Sequence, residues 1–388
     1  MALYAGSSKA FPALREIPDL TTKTITANGT YAASADNADG YSSVTVNVGG
    51  IDIIKIPREV SAQGVYQAPS SSFTFSLPSR VTDIGDYGMN YAFYNCTGLT
   101  GALDLSSLTT ISGSSGMQYA FYGCTGLTSV NLSSLTTISG SNGMDDAFYG
   151  CTGLTGALDL SSLATISESN GMYSAFRGCI GLTSADLSSL TSISKSNGMY
   201  YAFYGCTGLT GADLSSLTTI SGSNGMYSAF YGCTNLASAN LSSLTTISGS
   251  SGMGFAFYGC TNLTSISFPV LTTISGSSGM SSVFYNCTNL TSISFPALTT
   301  ISGSNGMSSA FRGCTGLTSI SFPALTSTFN VPVSGTTYTN QFSSMLRGVT
   351  GCTVHFPSNL QSVIGSWGDV TAGFGGTNTT VLYDLPAT

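Results

Sequence analysis

The stretch "AFYGCTGLTSVNLSSLTTISGSNGM" occupies Ala120–Met144, and near copies of it precede and follow. One cysteine marks each copy: Cys96, Cys124, Cys151, Cys179, Cys206, Cys233, Cys260, Cys287 and Cys314. Successive gaps are 28, 27 and 28 residues, then 27 five times. Self-similarity at such a period means stacked units, a solenoid or a propeller, and it outranks any local signal. The two long copies share a one-residue insertion, "TGALDL" at Thr100–Leu105 and Thr155–Leu160 where another copy has "TSVNL".

Within a copy, "LTSISF" (Leu263–Phe268) sends its first, fourth and sixth side chains to one side, as a strand lining the inside of a coil requires. "LTTI" reads as a second short strand and "GSNGM" as a corner. "YSAFYGC" (Tyr227–Cys233) is too short for a stable α-helix, so a single helical or 3₁₀ turn is expected there.

The line "AFYGCTNLTSISFPVLTTI" (Ala256–Ile274) resembles the BspA-like class of leucine-rich repeat. The first six copies depart from that pattern by writing L-S in place of F-P, which puts the turn after the main strand in question. The expected fold is mainly β: a solenoid of about eleven 27–28-residue coils and about 50 Å long. It spans residues 73–365, with "FTFSLPSRV" opening it and "SSMLRGVTGC" (Ser343–Cys352) forming a degenerate last coil in which Val349 takes the cysteine slot. Residues 1–20 form a lead, 21–50 a small β-hairpin module, 51–72 a linker and 366–388 a cap holding Trp367. The hairpin module, "TKTITANGTYAASADNADGYSSVTVNV" (Thr22–Val48), resembles a short module of phage and prophage tail-fibre proteins.

A cysteine at one place in every coil points inward and stacks on its own copies as a small apolar filler. Parallel stacked side chains make poor disulfides, and no converging ligand set is written for a metal.

Composition narrows function. Charged residues make up 7% of the chain, against roughly 25% in an average soluble protein. The net charge of −7 and scattered basic residues argue against a nucleic-acid partner. No run approaches the ~18 apolar residues of a membrane span, so no membrane insertion is expected. The start lacks the basic-then-apolar pattern of a signal peptide. The single histidine, His355, has no partner in view, and no His–Asp pair is legible that could activate a serine; no enzyme and no cofactor are expected.

Positions that repeat are held by stacking, and positions that vary are free of it. The most variable pair lies between "GM" and "AF" and supplies Tyr91, Tyr119, Tyr173, Tyr200, Tyr201, Tyr227 and Phe255. Just beyond it recur Tyr94, Tyr122, Tyr149, Arg177, Tyr204, Tyr231, Tyr258, Tyr285 and Arg312. Stacked coils align these into a surface stripe suited to protein or glycan recognition; the alternative is a shield over the turn with neutral drift beside it. A second column holds Asp159, Asp186 and Asp213, read as a solvated acidic strip or, more weakly, a cation site.

Taken with the resemblances, these features suggest a non-enzymatic recognition protein: a tail fibre docking virion proteins through its N-terminus and binding a bacterial cell-surface protein or glycan, itself a homo-oligomer. A BspA-like bacterial surface adhesin and a self-assembling structural subunit are the competing readings, placing the chain on a virion or at a cell surface.

Overall fold

The computed structural model describes residues 74–77, 81–326, 341–361 and 374–386, together with the strand backbones 25–27, 41–48, 50–57, 59–60 and 66–67. The lead at 1–20, the loop 327–340 and Trp367 lie outside the described residues. Ahead of the array, Tyr41–Val48 and Gly50–Pro57 pair antiparallel, with Ile25–Ala27 on the other side of Gly50–Pro57.

From Phe75 onward the chain is a parallel β-solenoid of about ten turns, against the eleven coils expected. One face is a nine-stranded parallel sheet of two-residue strands, from Asp83–Ile84 through Thr137–Ile138 to Thr300–Ile301. Each isoleucine pairs with its counterpart one coil away, Ile138 with Ile111 and Ile166. This is the "LTTI" strand, and all nine isoleucines are buried.

The opposite face carries the main strands in three ladders: Gly101–Asp104 with Leu127–Asn131; five strands from Thr155–Asp159 to Ser265–Ser267; and four from Ser292–Ser294 to Thr380–Leu385. Leu263, Ile266 and Phe268 all point inward, as read from their spacing. The inserted residue of the 28-residue coils is Gly101 in one and Gly156 in the other, at φ 79° and 78°. There the ladder register shifts, so the insertion is absorbed as a bulge with glycine in the left-handed region.

The core is one continuous stack. Phe93, Phe121, Phe148, Phe176 and their successors to Phe311 lie ring over ring at 5.0–5.7 Å. The cysteines are free and buried, as expected, and the thiols do more than fill space. The eight from Cys124 to Cys314 each donate to a phenylalanine carbonyl of the preceding coil, as Cys206 Sγ does to Phe176 O at 3.1 Å. That carbonyl also accepts the Cys179 amide of its own coil, so the thiol adds a second donor to a carbonyl already satisfied, and Val349 fills the same slot in the last coil without one.

The segment from the corner to the cysteine is neither an α-helical nor a 3₁₀ turn, contrary to the expectation. In one coil Gly143, Asp145, Ala147, Tyr149 and Cys151 each donate to the carbonyl three residues back. The alternate amides, Asn142, Met144, Asp146, Phe148 and Gly150, donate instead to the next coil at 2.8–3.0 Å. A helix would use every amide within its own coil, so the stacking claims half of them and forces a chain of turns. The chain returns to the left-handed region every fourth residue, at Asn142 (φ 57°), Asp146 (φ 50°) and Gly150 (φ 68°).

Replacing L-S by F-P leaves the turn after the main strand in place. Leu135 N donates to Leu132 O at 2.9 Å, and Leu298 N donates to Phe295 O at 3.2 Å.

The C-terminal strand Thr380–Leu385 extends the stack: Thr380 pairs with Thr353, 27 residues earlier, at the spacing of the array.

Candidate functional site

The stripe read from the sequence exists as three parallel columns on the turn-chain edge of the solenoid. The outer column runs Tyr94, Tyr122, Tyr149, Arg177, Tyr204, Tyr231, Tyr258, Tyr285, Arg312. Neighbouring tyrosine rings lie 4.3–4.9 Å apart and within 25° of parallel. Arg177 does not interrupt it. Its guanidinium stands 5.3 Å from the Tyr149 ring centre, 4.6 Å from Tyr204 and 5.3 Å from Tyr201, a flat cation intercalated in a phenol stack. Arg312 closes the column over Tyr285 at 5.0 Å.

The first residues of the variable pair form the inner column. Tyr173, Tyr200 and Tyr227 stack at 4.9 and 5.1 Å. Before them, Asn90 Nδ2 donates to Gln118 Oε1 at 3.2 Å, and Gln118 Nε2 donates to Asp145 Oδ2 at 2.7 Å. After them comes Gly254. A Cβ there would meet the Tyr227 ring at 3.0 Å, so the glycine gives that ring its place.

The second residues of the pair are the left-handed ones. Asp146, Ser174, Ser228, Ser282 and Ser309 are short and polar, as that conformation prefers. Tyr91, Tyr119, Tyr201 and Phe255 are not, yet they hold φ near 55°. An aromatic residue there costs about 1–2 kcal/mol against an unconstrained position. These side chains tie the two outer columns together: Tyr201 packs on Tyr200 at 4.2 Å and on Tyr204 at 5.2 Å, and Tyr91 stacks on Tyr119 at 4.6 Å. Phe255 contacts both Tyr227 and Tyr258. All sixteen predicted stripe residues therefore fall on one edge, and their ring faces are largely spent on each other. What they present outward is a row of edges and phenolic hydroxyls.

The sequence places Asp145 and Asp146 in the variable pair, but they were not counted among the binding residues of this surface. Asp145 is 8% exposed, with Oδ1 buried and unpartnered. Burial pushes its carboxyl up to about 7. Burial likewise raises Asp146 to about 6, opposed by the nearby Arg177 guanidinium. Two adjacent acids in a chain so poor in charge were the available signal.

The aspartate column has a different explanation. Asp159 Oδ1 accepts the Ser161 amide at 2.9 Å and its hydroxyl at 2.6 Å; Asp186 accepts from Ser188 N and Asp213 from Ser215 N, both at 2.9 Å. Asn131 and Asn240 do the same to Ser133 and Ser242. Where the residue two places on is Pro269, Pro296 or Pro323, which has no amide, the column switches to Ser267, Ser294 and Ser321. The acids close the turn after the strand. Among the described residues no three His, Cys, Asp or Glu side chains come together as a metal site.

His355 does have a partner, which corrects the sequence reading. Its Nδ1 lies 3.0 Å from both carboxylate oxygens of Asp384 on the neighbouring strand. Ser321 is in register with His355 on the strand before, but its hydroxyl donates to Ser294 Oγ at 2.8 Å.

The sequence profile of the BspA type leucine rich repeat region (6 copies) matches residues 63–194, 144–278 and 227–333. No curated protein matches the chain. Among solved structures it is similar to TLR13 in its complex with ssRNA13, at 18% identity and TM-score 0.28 over 64% of this chain and 35% of that one. It thus spans about a third of that chain's length. It is also similar to the pneumococcal vaccine antigen PcpA (15% identity, TM-score 0.32, 92% of this chain, 100% of that one). A third is an internalin, InlF, from Listeria monocytogenes (13% identity, TM-score 0.21, 75% and 72%). The matched profile begins at residue 63, so it leaves the Thr22–Val48 module and its tail-fibre resemblance without support.

Proposed function

Since this chain belongs to the BspA-type leucine-rich repeat family, we propose that it is a non-enzymatic recognition scaffold whose tyrosine stripe docks on a bacterial cell-surface protein or glycan. One observation carries the reading. Tyr91, Tyr119, Tyr201 and Phe255 hold bulky aromatics in left-handed backbone where other coils manage with serine or aspartate. The fold does not need them there, so the strain is retained for what the surface meets. Tyrosine edges and hydroxyls, pre-ordered by stacking, lose little entropy on contact and offer both apolar area and hydrogen bonds.

In this reading the array is the adhesive part, and the three-stranded module ahead of it is the attachment, to a cell surface or to virion tail proteins. The test is adhesion of the labelled chain to a panel of intact bacteria. Replacing Tyr200, Tyr201 and Tyr204 together by Ala should remove adhesion while the far-ultraviolet circular dichroism stays unchanged. Equal adhesion by the folded triple variant would dismiss the stripe. Immunolabelling of intact cells and of particles separates the two carriers.

A further inference from the structure

The array is electrically lopsided. Between Asp213 and Asp369 the sequence contains no acidic residue, and its only basic residues after Lys195 are Arg312 and Arg347. Both fall in the outer column of the stripe on consecutive coils. Gly313 N donates to Arg347 O at 2.9 Å, just as Gly178 N donates to Tyr204 O at 2.8 Å. Arg347 therefore stands to Arg312 as Tyr204 stands to Arg177, one strand spacing away.

The two arginines differ from Arg177. Arg177 has aromatic rings from both flanking coils and lies close enough to the Asp146 carboxyl to oppose the rise that burial gives that group. Arg312 has a ring on one side only, Tyr285, and the other side faces a like charge. Among the described residues neither Arg312 nor Arg347 has an ion pair, and Arg347 is exposed. Like charges one spacing apart repel unless an anion bridges them.

The neighbouring columns change here as well. The variable pair becomes Ser281–Ser282, Ser308–Ser309 and Ser343–Ser344, with no aromatic left. Ser281 and Ser308 already donate their hydroxyl hydrogens to carbonyls of the next coil, leaving oxygen lone pairs as acceptors.

We infer that Arg312 and Arg347 form an anion-binding subsite at the C-terminal end of the stripe, which takes a sulfate, phosphate or carboxylate group carried on a saccharide chain. Guanidinium forks match such oxyanions in a bidentate manner, and the serine oxygens accept from sugar hydroxyls beside it. A peptide partner would want an apolar anchor, and the variable pairs of these three coils are serines. The inference rests on the stripe being a binding surface and names its ligand class.

The experiment uses the full chain against immobilised dextran sulfate, unsubstituted dextran and poly-glutamate at several salt concentrations. The expected result is binding to dextran sulfate at least ten-fold tighter than to either other probe. Arg312→Gln with Arg347→Gln should abolish that preference and flatten the salt dependence, while the far-ultraviolet circular dichroism stays unchanged. Lys195→Gln, away from the stripe, should change nothing. Equal affinity for the three probes, or a preference that survives the double variant, overturns the subsite. Poly-glutamate bound as tightly as dextran sulfate overturns the saccharide assignment. The Tyr200, Tyr201, Tyr204 triple variant separates the two proposals. If it retains cell adhesion while the arginine variant loses the sulfate preference, the Tyr200–Tyr204 rungs fail as the contact and binding is confined to the C-terminal end of the stripe.

Discussion

The guanidinium carbon of Arg177 lies 4.6 Å from the centre of the Tyr204 ring, in a slot that seven other coils fill with tyrosine. Planarity, not charge, qualifies a side chain for that slot. Arg177→Tyr should therefore fold with stability within about 0.5 kcal/mol of the parent. Arg177→Ala should lose about 1 kcal/mol in urea denaturation, because it leaves a gap in the stack and removes the cation facing Asp146.

Asp145 and Asp146 give the stripe a pH dependence. Their folded-state pKa values lie above the 3.8 of a free carboxyl, at about 7 and about 6, chiefly through burial. The folded chain then binds more protons than the unfolded chain above pH 4. Their contribution to stability is whole below pH 4 and is lost as pH rises through 6 to 7. Asp145→Asn keeps the acceptor for Gln118 Nε2, should flatten this slope and should stabilise the fold by about 1–3 kcal/mol at pH 8. Melting temperatures from pH 4 to pH 8 read it out.

Tyr201 sits at φ 55°, so a residue without a Cβ should be preferred there once the aromatic contacts are gone. Tyr201→Gly is expected to be more stable than Tyr201→Ala by about 0.5–1 kcal/mol, the reverse of the order inside a strand. Chemical denaturation of the two variants side by side decides it.

Asp186→Ala should cost about 1 kcal/mol, because the Ser188 amide loses its acceptor. Ser267→Ala, in the same column but followed by Phe268 and Pro269, should stay within about 0.5 kcal/mol of the parent. Chelation with EDTA should leave the melting temperature unmoved; a drop would return the aspartate column to cation binding.

The thiols of Cys151 and Cys206 are pushed up to about 12 by burial, and all ten cysteines are buried. The native chain should react with a thiol reagent such as DTNB only at its unfolding rate, and denaturant should release all ten groups at once. Fast modification of one thiol in the folded state would mark an open coil.

What the sequence disclosed and what it hid divide along one line. Leu263, Ile266 and Phe268 report their own inward direction, because a residue's repetition from coil to coil is itself the record of stacking. The turn chain at Asn142–Cys151 was not legible, since its conformation is decided by amides bonding a chain segment 27 residues away. His355 was misread for a similar reason. Asp384 lies 29 residues on, in a tail that no longer resembles the repeat. The exchange of Asp or Asn for Ser beside proline was visible as a covariation, and only the Ser161, Ser188 and Ser215 amides give it a cause.

The even pairing of the nine-stranded face has a genetic corollary. Any coil whose length is 27 can be excised or duplicated between equivalent codons, and both cut ends still meet matching neighbours. Recombination between such near-identical segments would lengthen or shorten the tyrosine column one rung at a time without a misfit in the interior. The two units bearing Gly101 and Gly156 are the exceptions, since each bulge is seated against a neighbour of one particular register.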